Sequence, residues 1–261
     1  MLAKFGYSDI DVSLQGHVAL VEIRRPPHNY FNQELVSQLA TAFELLDDES
    51  QCRAIVLASQ GKSFCAGANF DDGSGHEIIA AGDGRHLYED AARLFATRKP
   101  IVGAIQGAAV GGGLGLALVP DFRVGCPEAR FCANFTMLGF HPGFGLTCTL
   151  PALVGQQKAN LMLYTSRRIR GEEALAMGLL DVLVPADRLR SAAFDLADEI
   201  AGAAPLGVME TRATMRAGLL ERFRAATSRE KQVQDRLRTT EDFREGIAAS
   251  SQRRKPDFNG I

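Results

Sequence analysis

Neither sign of charge dominates this chain: 29 Lys and Arg stand against 31 Asp and Glu, a net charge of −2. With no basic excess to neutralise phosphates, the balance argues against general nucleic-acid binding. A local cluster can still hold a small anion. The five cysteines, Cys52, Cys65, Cys126, Cys132 and Cys148, form no CxxC pair and no metal-ligand spacing. They read as small buried hydrophobes in a reducing compartment, and no metal site is expected. The segment Met1 to Tyr7 lacks the apolar core of a signal peptide, so a cytoplasmic location is expected. No low-complexity stretch or linker divides the 261 residues, which suffice for one large domain with a small helical appendage. Hydrophobic and charged contents of 46% and 23% are ordinary globular values.

One long apolar run is present, from Ile101 to Val119, with Gln106 as its single polar side chain. Its length suits a membrane span. Gly103, Gly107, Gly111 and Gly115 also mimic a small-residue packing face. Against that reading, Pro100 and Pro120 bound it, and the β-branched Ile101, Val102 and Ile105 gather in its first third. The run is therefore expected to be a soluble core element: a buried strand, a turn opened by Gly107, and a helix entered through Gly111, Gly112 and Gly113. Glycine costs a helix about 1 kcal/mol relative to alanine, so three in a row need a reason. Close approach of backbone to a ligand is one, and tight packing on a neighbouring element is the other. Free N–H groups at a helix start can also hold a developing oxyanion. The spacing is not G-x-G-x-x-G, which makes a dinucleotide site a poor reading.

The rest of the chain reads as a β/α core followed by helices. Ile10 to Leu14 and His17 to Ile23 alternate around Gln15-Gly16, a hairpin signal. Asn32 can cap a helix with the stripe Leu35, Leu39, Phe43 and Leu46. Ala54 to Ala58 is a buried strand, and a helix carries Leu87, Ala91, Leu94 and Phe95. Phe122 to Gly125 and Arg130 to Phe135 read as strands. From Gly155 onward alanine, leucine and alternating charges predict helix.

Two segments together resemble the enoyl-CoA hydratase/isomerase (crotonase) superfamily: Gly61-Lys62-Ser63-Phe64-Cys65-Ala66-Gly67-Ala68-Asn69-Phe70, and Gln106 to Gly115 after the Lys99-Pro100 strand opening. Further matches follow the same order along the chain, at Arg24 to Asn29, Leu138 to Gly143, Gly178 to Asp181, Asp242 to Gly246 and Arg254 to Pro256. The resemblance implies an α/β fold, a crotonase-like spiral of ββα units with a helical C-terminal region. Residues 1–200 would form the core with its acyl-CoA site, and 201–261 a helical oligomerisation region building a homotrimer or homohexamer. It implies an acyl-CoA thioester as ligand, with coenzyme A part of the substrate and no separate cofactor, nucleic acid or membrane partner. The thioester oxygen would sit between the backbone N–H groups of Ala68 and Gly112. Ala66, Gly67 and Gly111 would let it approach, Arg24 would belong to the coenzyme A wall, and Lys255 and Phe258 would meet the nucleotide end.

The chain departs from the family where hydratases carry two glutamates that position water and move its protons. The matching positions hold Gly115 and Phe135, neither of which carries a proton. Ordinary hydration is therefore not expected, and isomerase, decarboxylase or C–C-cleaving chemistry takes its place. His141, just beyond the lost second glutamate, is the candidate acid/base, with a satisfied loop histidine as the plainer reading. Asp71 and Asp72 read as a helix-capping pair. His76, Glu77, His86 and Glu89 read as surface residues of the stretch that roofs the pocket in the family. Cys65 reads as a small wall residue rather than a nucleophile. Two alternatives stay open: a non-catalytic acyl-CoA-binding subunit, and a coenzyme A-independent diketone hydrolase on the same fold.

Overall fold

Alternation along one strand sets the layers of the molecule. The computed structural model describes residues 6–69 and 86–261. In β3 (Ala54–Ser59), Ile55 and Leu57 face the larger hydrophobic core, while Ala54, Val56 and Ala58 face a second, smaller one. Successive strand side chains point to opposite faces, so a strand apolar throughout must be covered on both sides. The smaller core is closed by α7 (Leu189–Ala201), which brings Leu189, Ala193, Ala197 and Ala201 onto the sheet. The larger contains α1 (Gln33–Asp48) and α2 (Leu87–Ala96).

β3 lies inside a six-stranded sheet. Its other members are β1 (Ile10–Gln15), β2 (Val18–Ile23), β4 (Ile101–Ile105), β6 (Phe122–Gly125) and β9 (Val182–Leu183), in the order β1-β2-β3-β4-β6-β9. β1 and β2 form the expected antiparallel hairpin, and every other neighbour pair is parallel. A smaller sheet holds β5 (Ala108–Val110), β7 (Arg130–Cys132) and β8 (Ile169–Arg170) in the order β5-β7-β8. The strand expected over Arg130 to Phe135 stops at Cys132. Phe135 already has helical φ and ψ of −61° and −45° and starts a 3₁₀ turn over Thr136–Leu138. Asn32 caps α1 as expected, its side chain accepting the N–H of Leu35 at 3.1 Å. Among the described residues no helix is long and apolar enough to cross a membrane. The long apolar run is instead β4, β5 and the short helix α3 (Gly112–Ala117), all but three of whose residues from Ile101 to Val119 are buried.

Two buried polar side chains tie the core segments together. Asn29, fully buried, donates to the carbonyls of Gln60 at 2.8 Å and Ser63 at 2.7 Å, joining the Arg24–Asn29 loop to the turn after β3. Arg123 on β6 donates to the carbonyl of Leu179 at 2.9 Å and pairs with Asp181 at 3.0 Å. The C-terminal part is helical: α4 (Leu146–Val154), α5 (Gln156–Thr165), α6 (Gly171–Ala176), α8 (Pro205–Met215), α9 (Leu219–Leu237) and α10 (Glu241–Ser251). α9 packs back onto α2 and α4, and α10 onto the 3₁₀ turn. α8 buries none of its residues.

Candidate active site

Two chain segments cross at van der Waals distance because glycine leaves room. Cys65 N donates to Ala108 O at 2.9 Å and Val110 N to Cys65 O at 3.1 Å, so the segment after β3 runs parallel to β5. A methyl group on Gly67 would lie 2.6 Å from Val110 O and 4.0 Å from Gly112 N. One on Gly113 would lie 2.1 Å from Cys65 O. Gly67 and Gly111 hold φ of +88° and +56°, the left-handed region that other residues avoid. Just beyond the crossing, the N–H groups of Ala68 and Gly112 find no acceptor among the described residues. Each opens on a cavity of about 190 Å³.

The facing wall is aromatic. Phe31 and Phe144 meet edge to face with centroids 5.7 Å apart, and the Phe31 ring lies against Gly112. Phe135 stacks with Phe140 at 6.2 Å. Phe144, fully buried at φ +58°, stands against Gly115: a methyl group there would lie 2.7 Å from Phe144 Cβ. Among the described residues no Asp, Glu or His lines the cavity, whose ionisable groups are Tyr30, Tyr88 and Arg238.

The residues around the aromatic corner are held by α9. Its inward stripe is Phe223, Thr227, Glu230 and Gln234, all 5% exposed or less. The carboxylate of Glu230 accepts the N–H of Gly145 at 2.8 Å, the N–H of Thr147 at 3.1 Å and the Thr147 hydroxyl at 2.6 Å. That fixes the turn on which Phe144 sits. Burial raises the Glu230 pKa despite these donors. Gln234 bridges two elements: its amide donates to His141 O at 2.9 Å and accepts from the Tyr88 hydroxyl at 2.9 Å. Burial drives the Tyr88 phenol pKa up, so the hydroxyl is a neutral donor and acceptor.

The model of the enoyl-CoA hydratase/isomerase family matches residues 13–260. The chain belongs to the enoyl-CoA hydratase/isomerase family. It is 32% identical to the 2,3-dehydroadipyl-CoA hydratase of Escherichia coli over 97% of this chain and 99% of that protein. It is 30% identical to the crotonyl-CoA hydratase of Syntrophomonas wolfei, over 97% and 98% respectively. A solved enoyl-CoA hydratase/isomerase of Pseudoalteromonas atlantica matches it with a TM-score of 0.87 at 30% identity, covering 97% of this chain and all of the other. The α/β architecture above is thus the crotonase fold.

Ala66, Gly67, Ala68, Gly111 and Gly112 come together on the cavity. Arg24 does not line it; its guanidinium pairs with Asp11 at 3.0 Å and Glu22 at 3.1 Å. Lys255 and Phe258 lie on the exposed C-terminal tail, away from the cavity of their own chain. His141 also lies outside the lining, with Nδ1 2.7 Å from Pro142 O. The geometry thus favours the loop histidine over an acid/base facing the cavity. Burial pushes the Cys65 thiol up to about 12, which matches a wall residue and not a nucleophile. His86 caps α2, accepting the N–H of Tyr88 at 3.1 Å, and neither it nor Glu89 lines the cavity. Asp71, Asp72, His76 and Glu77 lie outside the described residues. Sequence reasoning missed Tyr88, Phe144, Glu230, Gln234 and Arg238. A signal was there for three of them: Phe223, Thr227, Glu230, Gln234 and Arg238 recur every three or four residues, a buried stripe that carries polar groups.

Proposed function

We propose that the chain is an enzyme that binds the acyl-CoA thioester oxygen between the N–H groups of Ala68 and Gly112 and stabilises the enolate. The observation that supports this is the pair of backbone donors lacking acceptors, carried by two crossing segments onto one cavity. Fixed donors favour the state in which charge has moved onto oxygen over the neutral thioester, each by about 3 kcal/mol. The enolate then serves isomerisation, decarboxylation or C–C cleavage. Hydration fits poorly, although relatives are named hydratases. By the resemblance to the family Phe135 takes one of the two glutamate positions, and Phe144 closes the space that a side chain at Gly115 would need.

Two assays test the reading. Loss of enoyl-thioester absorbance with crotonyl-CoA should be very slow. Loss of CO₂ from a malonyl-type thioester, which reaches the enolate without a base, should proceed and is read by mass spectrometry. Thioester binding without turnover across a broad panel would assign a non-catalytic acyl-CoA-binding subunit instead. Failure of every thioester to bind would sink the acyl-CoA reading for this cavity.

The proposal extends to assembly as a homotrimer or homohexamer. α8 buries no residue within the chain, and Leu206 and Met215 on it are 76% and 80% exposed. Apolar surface of this kind suits a second copy, and light scattering of the eluted protein reads the mass directly.

A further inference from the structure

One cation, Arg238, stands at the aromatic end of the cavity and makes no ion pair among the described residues. Arg238, just past the end of α9, is half-buried, and its guanidinium carbon lies 5.0 Å above the Phe140 ring. Its Nε is buried and has no hydrogen-bond partner among the described residues. No carboxylate among them reaches ion-pair distance of it. Asp235, one turn back, makes its ion pair with Lys231 at 2.5 Å and acts on Arg238 only at longer range. The Tyr88 hydroxyl nearby already gives its proton to Gln234. A desolvated guanidinium without a counter-charge is costly unless a partner arrives with the ligand.

Its position says which part of a ligand that is. A methyl group on Gly111 would lie 3.8 Å from Phe135 Cζ, Phe135 stacks on Phe140, and Arg238 covers Phe140. Two aromatic rings thus separate the guanidinium from the donor segment at Gly111–Gly112. An apolar run with backbone donors at one end and a cation at the other fits a linear acyl chain ending in an acid.

Resting on the acyl-CoA reading above, we infer that this site selects CoA thioesters of dicarboxylic acids, with Arg238 binding the carboxylate at the far end of the acyl chain. The planar guanidinium offers paired donors that match a carboxylate, and its stacking on Phe140 fixes their direction. One half-buried cation suits a single carboxylate; the phosphates of coenzyme A carry several charges.

Calorimetric titration tests this with glutaryl-, adipyl- and pimelyl-CoA against valeryl-, hexanoyl- and heptanoyl-CoA, and with free coenzyme A. In the unaltered protein at least one dicarboxylic thioester should bind about tenfold or more tightly than its neutral counterpart. Arg238→Met should erase that preference by weakening the dicarboxylic series alone, and Arg238→Lys should keep part of it. Equal binding of the two series by the unaltered protein would overturn the inference without any variant. So would an Arg238→Met effect shared by both series and free coenzyme A, which would place the guanidinium on the nucleotide. If no thioester of either series binds, the acyl-CoA reading itself fails.

Discussion

The two walls of the cavity are made in different ways. One consists of backbone: residues 66–68 and 110–112 present N–H groups, and glycine is there so that two chains can cross. The other consists of side chains brought from far apart: Phe31 from the loop before α1, Tyr88 from α2, Phe144 from the loop before α4 and Gln234 from α9. A backbone wall depends on local conformation and tolerates no extra atom. A side-chain wall depends on long-range packing and can be exchanged residue by residue.

The strongest way to break the comparison is to add one carbon to the backbone wall. A methyl group on Gly113 would meet Cys65 O at 2.1 Å, a main-chain atom that cannot swing aside. Gly113→Ala should therefore destabilise the fold by about 3 kcal/mol or more, read as a lower urea midpoint. Ala68→Pro attacks the same wall by deleting one donor. It should lower kcat/KM for any turnover by roughly 10²- to 10³-fold, and circular dichroism would show whether the fold survives. A smaller effect on rate than tenfold would remove Ala68 from its proposed role.

The side-chain wall has its own weak point in Glu230. Glu230→Ala leaves the N–H groups of Gly145 and Thr147 unsatisfied inside the protein and should cost about 2 to 3 kcal/mol. Unlike Gly113→Ala, it should act by loosening the turn beneath Phe144. The double change Gly115→Glu with Phe144→Ala sharpens the contrast further. Gly115→Glu alone should be poorly folded, because its Cβ would meet Phe144 Cβ. The double variant should fold better, a difference visible in thermal melts.

What the sequence made legible follows the same division. The glycine spacing around Gly67 and Gly111–Gly113 is local, so a close approach of backbone was legible there, while Ala68 and Gly112 were named through the resemblance to the family. These core elements were legible too, because the alternation in β1 and β2, the apolar run of β3 and the stripe in α1 are short-range patterns. The opposite wall was not. Nothing local says that Gln234 meets Tyr88 across 146 positions of sequence, or that Phe144 fills the space beside Gly115. His141 is legible in the sequence only as a histidine shortly after Phe135. The loop turns its ring to Pro142 O and only its carbonyl toward Gln234.

The mildest test concerns how the assembled wall is anchored at α2. His86 Nδ1 accepts the N–H of Tyr88, which requires a neutral ring carrying its proton on Nε2. Burial, and then the nearby Lys231, lower its pKa from 6.5 to about 4. The unfolded chain therefore takes up a proton between those values that the folded chain refuses. The contribution of His86 is complete above pH 6.5 and drains away as the pH falls toward 4. His86→Asn keeps a capping oxygen and removes the titration. Urea unfolding should then show the two proteins nearly equal at neutral pH, with the variant the more stable as the solution is acidified. A gap that stays constant over this range would mean that the His86 ring is protonated in the folded protein and that Tyr88 is held some other way.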